Sequence, residues 1–210
     1  METETGVAGV EIAFDERGLV PCVAQDWSTG EVLTLAYMNR EALDRTLDSG
    51  EVHFWSRSRQ VLWHKGETSG NTMRLRSLRY DCDADALLAL VEPAGPACHT
   101  GERTCFYRSI GAPAVAAHEA LPTLARTLAA RHREMPSASY TAELFRAGAD
   151  QIGAKIEEEA EEVARAGREE SDQRLREEAA DLIYHLGVAL EARGLTYADA
   201  FDELVARMDA

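Results

Sequence analysis

The chain has 210 residues, 45% of them hydrophobic, enough for one large domain or two small ones around apolar cores. Its formal net charge of -15 weighs against nucleic acid and anionic membrane as partners, and a phosphorylated substrate would need cations as intermediaries. No run approaches the ~20 apolar residues of a membrane span, and four cysteines with no targeting segment ahead of them point to a reducing cytoplasm.

Residues 1 to about 110 read as mostly antiparallel β with one or two helices. Segments 10–14, 19–24, 31–38 and 51–55 are apolar or alternating and are separated by turn residues. A helix interrupts them, with Asn39 as N-cap, Ala42, Leu43 and Leu47 as its apolar stripe and Gly50 as its stop. Next comes Ser56-Arg57-Ser58-Arg59, then a loop from Leu62 through Trp63, His64, Lys65, Gly66, Glu67, Thr68, Ser69 and Gly70 to Asn71. So many donors and glycines suit a phosphate or sugar site. An ordinary polar hairpin is the plainer alternative, but Arg57, Arg59 and Lys65 concentrate positive charge in an acidic protein. Residues 72–80 alternate as a strand with a phase slip near Ser77, 87–91 read as a buried strand, and 104–108 as a last one.

The densest chemistry lies at Asp81-Cys82-Asp83-Ala84-Asp85, read together with Cys98-His99 and Cys105. If the segment is extended, a period of two puts the three carboxylates on one face and Cys82 on the other. One face would offer hard oxygens suited to Mg²⁺, the other a soft thiolate suited to Zn²⁺. Disulfides are a poor alternative in a chain this large without a signal peptide. A calcium loop fails because Ala86 stands where the turn needs glycine. The spacing C-x15-C-x6-C is not that of a structural zinc finger, and three thiolates leave a fourth position open, as catalytic zinc requires.

Residues 111–118, small and with a proline, read as a linker, and 119–210 as an all-α bundle. Leu121, Leu124, Ala125 and Leu128 recur at helical spacing, Ser139 caps a short helix closed by Gly148, and Asp150 caps a third running to Gly167. A fourth runs from 172 to 193 with Leu182, Ile183, Leu186 and Leu190 as its core stripe. The last carries Phe201, Leu204, Val205 and Met208 on one face. Glu158, Glu159 and Glu162 lie on neighbouring turns, and Glu178 and Asp181 one turn apart on the next helix. Such runs are usually a solvated face. Facing carboxylates on adjacent helices are also how bundles hold divalent metals.

The motifs Asp26-Trp27-Ser28-Thr29-Gly30-Glu31, Phe54 to Arg59, Trp63 to Gly70, Asp81 to Asp85 and Cys98-His99-Thr100-Gly101 with Cys105-Phe106 resemble phosphoribosyl-AMP cyclohydrolase. Residues 119–210, with Ser139-Tyr140-Thr141, Lys155 to Glu162, Glu178 to Leu182 and Tyr184-His185-Leu186, resemble phosphoribosyl-ATP pyrophosphohydrolase. Fused in this order they are similar to the bifunctional family of histidine biosynthesis. The resemblance implies hydrolysis of phosphoribosyl-ATP to phosphoribosyl-AMP and pyrophosphate in the second domain. It implies opening of the adenine ring at N1–C6 in the first, where zinc makes water a competent nucleophile.

The same resemblance implies Zn²⁺ on Cys82, Cys98 and Cys105, Mg²⁺ on Asp81, Asp83 and Asp85, and Mg²⁺ on Glu158, Glu159, Glu162, Glu178 and Asp181. His99 and Lys65 are the candidates for acid/base work and charge stabilisation. Arg57, Arg59, Trp63, Glu67, Thr68, Ser69, Ser139, Tyr140 and Lys155 are candidates for substrate contact. It also implies a homodimer whose zinc site is shared, Cys82 of one chain joining Cys98 and Cys105 of the other. Two rivals remain: a house-cleaning nucleotide pyrophosphohydrolase with a non-catalytic zinc-binding N-terminal domain, and a metal-sensing module. The intact thiols and the Lys65-to-Gly70 loop speak against the first, and the open fourth zinc position with the donor-rich loop speaks against the second.

Overall fold

A computed structural model describes residues 10–112 and 115–208, and the chain divides into two compact units, Met1–Ala114 and Val115–Ala210. Pro113 and Ala114 of the expected linker lie outside the described residues. In the first unit the described strands are β1 (Val20–Asp26), β2 (Val32–Met38), β3 (His53–Ser56), β4 (Val61–His64), β5 (Met73–Tyr80) and β6 (Leu87–Pro93), with helix α1 (Arg40–Ser49) after β2. Four pair in the order β2-β1-β6-β5, with β1 and β6 parallel at the centre and both edges antiparallel. The central pair presents one continuous buried face: Val20, Cys22 and Ala24 alternate along β1, and Leu87, Ala89 and Val91 along β6. Leu33, Leu43 and Phe54 complete the core at 0% exposure, each contributing about 1.5–3 kcal/mol.

Local signals set the edges of these elements. Asn39 Oδ1 accepts the Ala42 N–H at 2.9 Å, a cap of about 1 kcal/mol. Gly50 closes α1 at φ 70°, its N–H bonded to Thr46 C=O. The inward stripe of α1 is Ala42, Leu43 and Thr46, so Leu47 faces outward.

Several expectations change. Residues 10–14 form no strand. Ile12 is buried and Val10 and Phe14 pack on the core, but the backbone is held through Ala13 N–H to Ala84 C=O, one long-range tether rather than a sheet edge. Residues 104–108 form no strand, with a turn at Cys105 and Phe106, and are tied to β2 through the Thr104 hydroxyl on Val32 C=O and the Cys105 N–H on Leu33 C=O. Leu62 to His64 belong to β4, which pairs with β3 as a hairpin, so the donor-rich loop shortens to residues 65–72. Asp81 to Asp85 are not extended. They are the connection of the β5–β6 hairpin, with Ala84 at φ 60° and Tyr80 opposite Leu87.

The second unit is helical: α2 (Ala120–Glu134), α3 (Tyr140–Ala147), α4 (Ala149–Glu169), α5 (Asp172–Glu191) and α6 (Tyr197–Met208). Ser139 caps α3 through the Ala142 N–H, whereas α4 starts from Gly148, leaving Asp150 in its first turn. Leu128, Leu144, Ile152 and Val188 make the core. The inward face of α5 is Glu178, His185, Gly187 and Val188 rather than the expected stripe, and Ile183 and Leu186 are exposed. No described helix is long and apolar enough to cross a membrane.

Candidate metal centres

The helical unit assembles its carboxylates by periodicity. Glu159 on α4 and Glu178 and Asp181 on α5 bring one oxygen each within 4.8 Å of one another, the first two buried. A spacing of three puts Glu178 and Asp181 on one face, and the tight link between the helices aims that face at α4. Burial raises the Glu178 pKa, with the hydrogen-bonded Glu162 adding to it. Cations surround the group. Arg174 pairs with Glu178 and reaches Glu162 at 3.7 Å, and Lys155 Nζ lies 2.7 Å from Glu158 and 3.5 Å from Glu159. Glu162 also bonds Arg165, which lowers its pKa. Glu158 is exposed on the rim. Five expected carboxylates thus form one patch, of which three face each other within ligand range.

Sequence reasoning gave His185 no role, yet it is buried in this cluster. Its Nδ1 lies 2.9 Å from Asp181 C=O and 3.6 Å from Glu159, and its Nε2 3.1 Å from the Tyr140 hydroxyl. The backbone carbonyl fixes the proton on Nδ1, so Nε2 accepts from Tyr140. Thr141 and Tyr184 share a 2.7 Å hydrogen bond alongside. Tyr140 and Lys155 line a cavity of about 320 Å³ with Glu143, Leu144, Ala147 and Gln151, while Ser139 is occupied as the α3 cap.

In the first unit, Asp81, Asp83 and Asp85 do converge, each offering an oxygen within 4.8 Å of the others. A turn achieves this, not strand alternation. Asp81 Oδ1 accepts the N–H groups of Asp85 and Ala86, curling the chain, and the Asp83 and Asp81 charges raise the Asp85 pKa. Cys82 is exposed on the same turn.

The other two thiols sit elsewhere. Residues 97–103 close on themselves through Ala97 N–H to Arg103 C=O and Cys98 N–H to Glu102 C=O. Cys98 and Cys105 then stand as electrostatic neighbours, and the Thr100 hydroxyl donates to Cys98 Sγ at 3.1 Å and lowers its pKa. Buried Lys65 faces the pair. Burial depresses its pKa, the two sulfurs oppose that shift, and its Nζ bonds Asn71 C=O. His99 is exposed, with Nδ1 3.9 Å from Cys98 Sγ. Arg57 stacks on Tyr37, Arg59 bonds Ser56, Trp63 packs on Phe54, and Glu67, Thr68 and Ser69 lie exposed beyond Lys65.

The sheet separates Cys82 from this pair. Cys82 precedes β6, whereas Cys98 and Cys105 gather beyond its far end, where Asp26 registers with Val91 and Cys105 binds Leu33. Seven residues of strand span roughly 20 Å. Among the described residues, no third His, Cys, Asp or Glu joins Cys98 and Cys105 within ligand range.

A model of the phosphoribosyl-AMP cyclohydrolase family matches residues 34–107, and one of the phosphoribosyl-ATP pyrophosphohydrolase family matches residues 121–208. Relatives matching both halves include the histidine biosynthesis bifunctional protein HisIE of Bacillus subtilis, 50% identical over 94% of this chain and 95% of the relative. The protein of the same name from Caldanaerobacter subterraneus is 48% identical over 94% and 96%, and that from Thermus thermophilus 50% over 90% and 88%.

Proposed function

The chain belongs to the bifunctional family of histidine biosynthesis that joins phosphoribosyl-AMP cyclohydrolase to phosphoribosyl-ATP pyrophosphohydrolase, and on that premise we propose which residues serve each reaction. It is a hydrolase that releases pyrophosphate from phosphoribosyl-ATP and then opens the adenine ring of phosphoribosyl-AMP at N1–C6. We assign ring opening to residues 1–110 and pyrophosphate release to residues 119–210, with 111–118 as the linker.

In the pyrophosphohydrolase half, Glu159, Glu178 and Asp181 form the centre of a Mg²⁺ site, with Glu158 and Glu162 at its rim. The donor set fits: hard oxygens only, two of them buried and facing a third. Bound Mg²⁺ would neutralise the triphosphate and the leaving pyrophosphate. Tyr140 and Lys155 contact substrate from the adjoining cavity, and His185 holds the Tyr140 hydroxyl through Nε2. Ser139, whose oxygen accepts the Ala142 N–H as the cap of α3, keeps its O–H for the substrate beside Tyr140.

In the cyclohydrolase half, Cys98 and Cys105 hold Zn²⁺, for which paired thiols are the fitting soft donors, and bound zinc would lower the pKa of water. Lys65, held beside the sulfurs, stabilises negative charge, and His99 moves the proton to the departing N1. Asp81, Asp83 and Asp85 take Mg²⁺. Arg57, Arg59, Trp63, Glu67, Thr68 and Ser69 bind the substrate's phosphoribosyl parts. Cys82 completes the zinc site of a second copy, a reading supported by its place at the opposite end of β6 from the Cys98–Cys105 pair. Four free thiols suit a cytoplasmic enzyme.

The observation that carries the proposal is the pairing of Cys98, Cys105 and Lys65 in one unit and of Glu159, Glu178 and Asp181 in the other. The test is incubation with phosphoribosyl-ATP and both metals, following pyrophosphate and ring-opened product separately. Chelating zinc selectively is expected to stop only ring opening. Loss of pyrophosphate release as well would overturn the division.

A further inference from the structure

We propose that Arg103 is the positioning residue of the cyclohydrolase centre, locking the Cys98–Cys105 pair in place through a two-carboxylate clamp on β1 and the loop after it. The two thiols sit on a loop without regular secondary structure, so something must fix their separation. Arg103 lies between them in sequence. Its guanidinium donates from Nη2 to Asp26 Oδ2 and from Nε to Glu31 Oε2, both at 2.6 Å. These are short, charge-assisted contacts made by a planar fork, a geometry that lysine cannot reproduce.

The acceptors are themselves fixed. Asp26 is 4% exposed and its Oδ1 already accepts the N–H groups of Ser28 and Thr29, so its second oxygen points only at Arg103. Glu31 is braced by the Thr29 hydroxyl at 3.0 Å. On the loop side, Arg103 C=O takes the Ala97 N–H, and the next two residues bond β2 through the Thr104 hydroxyl and Cys105 N–H. The clamp therefore ties the residue flanked by the two thiols to the rigid end of the central strand. Removing the guanidinium leaves backbone contacts that hold the loop but do not fix its pitch. Partners of this kind typically change metal affinity ~10–100-fold when lost.

The inference rests on the reading that Cys98 and Cys105 hold zinc, and the test separates the two. Zinc affinity of the full chain is measured by competition with a chromophoric chelator for wild type, C98S, R103A, R103K and E31Q. Thiolate-to-metal absorption is recorded after loading with Co²⁺, and kcat and KM for ring opening are taken on the zinc-loaded protein. R103A is expected to bind zinc ~10–100-fold more weakly, with altered cobalt spectrum and a fall in kcat that exceeds any rise in KM. R103K should recover only part of this, and E31Q should lie between R103K and wild type. Pyrophosphate release stays unchanged. If C98S retains zinc with wild-type affinity, the zinc reading itself fails. If C98S loses zinc while R103A keeps wild-type affinity and spectrum, the Arg103 assignment alone is overturned. Should R103A not fold, E31Q and R103K decide, and wild-type affinity and spectrum in both overturn it.

Discussion

The two units collect ligand-type side chains by different means. In the helical unit, Glu159, Glu178 and Asp181 converge because helix periodicity and one short connection leave no other place for them. In the β unit, the three aspartates converge through a turn, and Cys98 and Cys105 through a self-closed loop pinned by Arg103. A site written on helices is largely local in sequence. A site written on turns depends on distant tethers, here Asp26 and Glu31 more than seventy residues away, and can be left incomplete within one chain.

The sharpest break between the units is expected from the ligands. Glu178→Gln should lower pyrophosphate release by a hundredfold or more while ring opening of supplied phosphoribosyl-AMP stays within about twofold. Cys98→Ser should do the reverse. If one variant, folded by circular dichroism, lost both activities, the centres would not be independent.

Next in size is complementation. Cys82→Ser and Cys98→Ser homodimers should each be inactive in ring opening. After subunit exchange, half the dimers are mixed and each rebuilds one of two sites, so activity should return to about a quarter of wild type. No recovery in proven heterodimers would place all three thiols in one chain, against the span of β6.

How far the sequence carried these conclusions differs between the units for the same reason. The helices, their caps at Asn39 and Ser139 and the carboxylate spacing are all set within a few residues, and pattern reading reaches them. It failed on α5, where Ile183 and Leu186 keep an apolar period yet lie outside, because Glu178, His185, Gly187 and Val188 claim the inward face. In the β unit, alternation at Asp81, Asp83 and Asp85 suggested a strand, but Asp81 capping two N–H groups bends it into a hairpin loop. The meeting of Lys65 with Cys98 and Cys105 has no local signature, and neither does Arg103. Only the resemblance to known motifs pointed to the first, and nothing pointed to the second.

A smaller contrast comes from one methyl group added to each unit. A Cβ on Gly66, which sits at φ 92°, would drive into the Asn71–Thr72 backbone. A Cβ on Gly187, whose backbone is helical, would meet the Tyr197 hydroxyl and, at 2.7 and 2.8 Å, Tyr197 Cζ and the Leu128 methyl, side-chain rather than backbone atoms. Gly66→Ala should therefore cost more, about 2–3 kcal/mol against 1–2 for Gly187→Ala. All three tryptophans, Trp27, Trp55 and Trp63, lie in the first unit. Urea midpoints by tryptophan fluorescence should move for Gly66→Ala only. Equal shifts in both variants would mean that the units unfold together.

The smallest effect concerns Tyr197. Its hydroxyl donates to Ile183 C=O at 2.7 Å from a residue only 9% exposed, a single buried hydrogen bond onto α5. Tyr197→Phe removes that one hydrogen bond, so the loss should be only about 1 kcal/mol. Its pH dependence is the better test. Burial raises the phenol from 10.0 to about 12, so the folded unit favours the neutral form. A raised pKa contributes stability that is complete below the unfolded value and is lost as pH rises through the folded one. Wild type should therefore lose helical stability, followed by circular dichroism at 222 nm, between pH 10 and about 12. Tyr197→Phe should lack that part of the decline, and the gap between the two should close across the same window. Tryptophan fluorescence should register no difference between them. Parallel alkaline curves for the two proteins would show that Tyr197 ionises as freely folded as unfolded, and the hydroxyl would then not be held buried against α5.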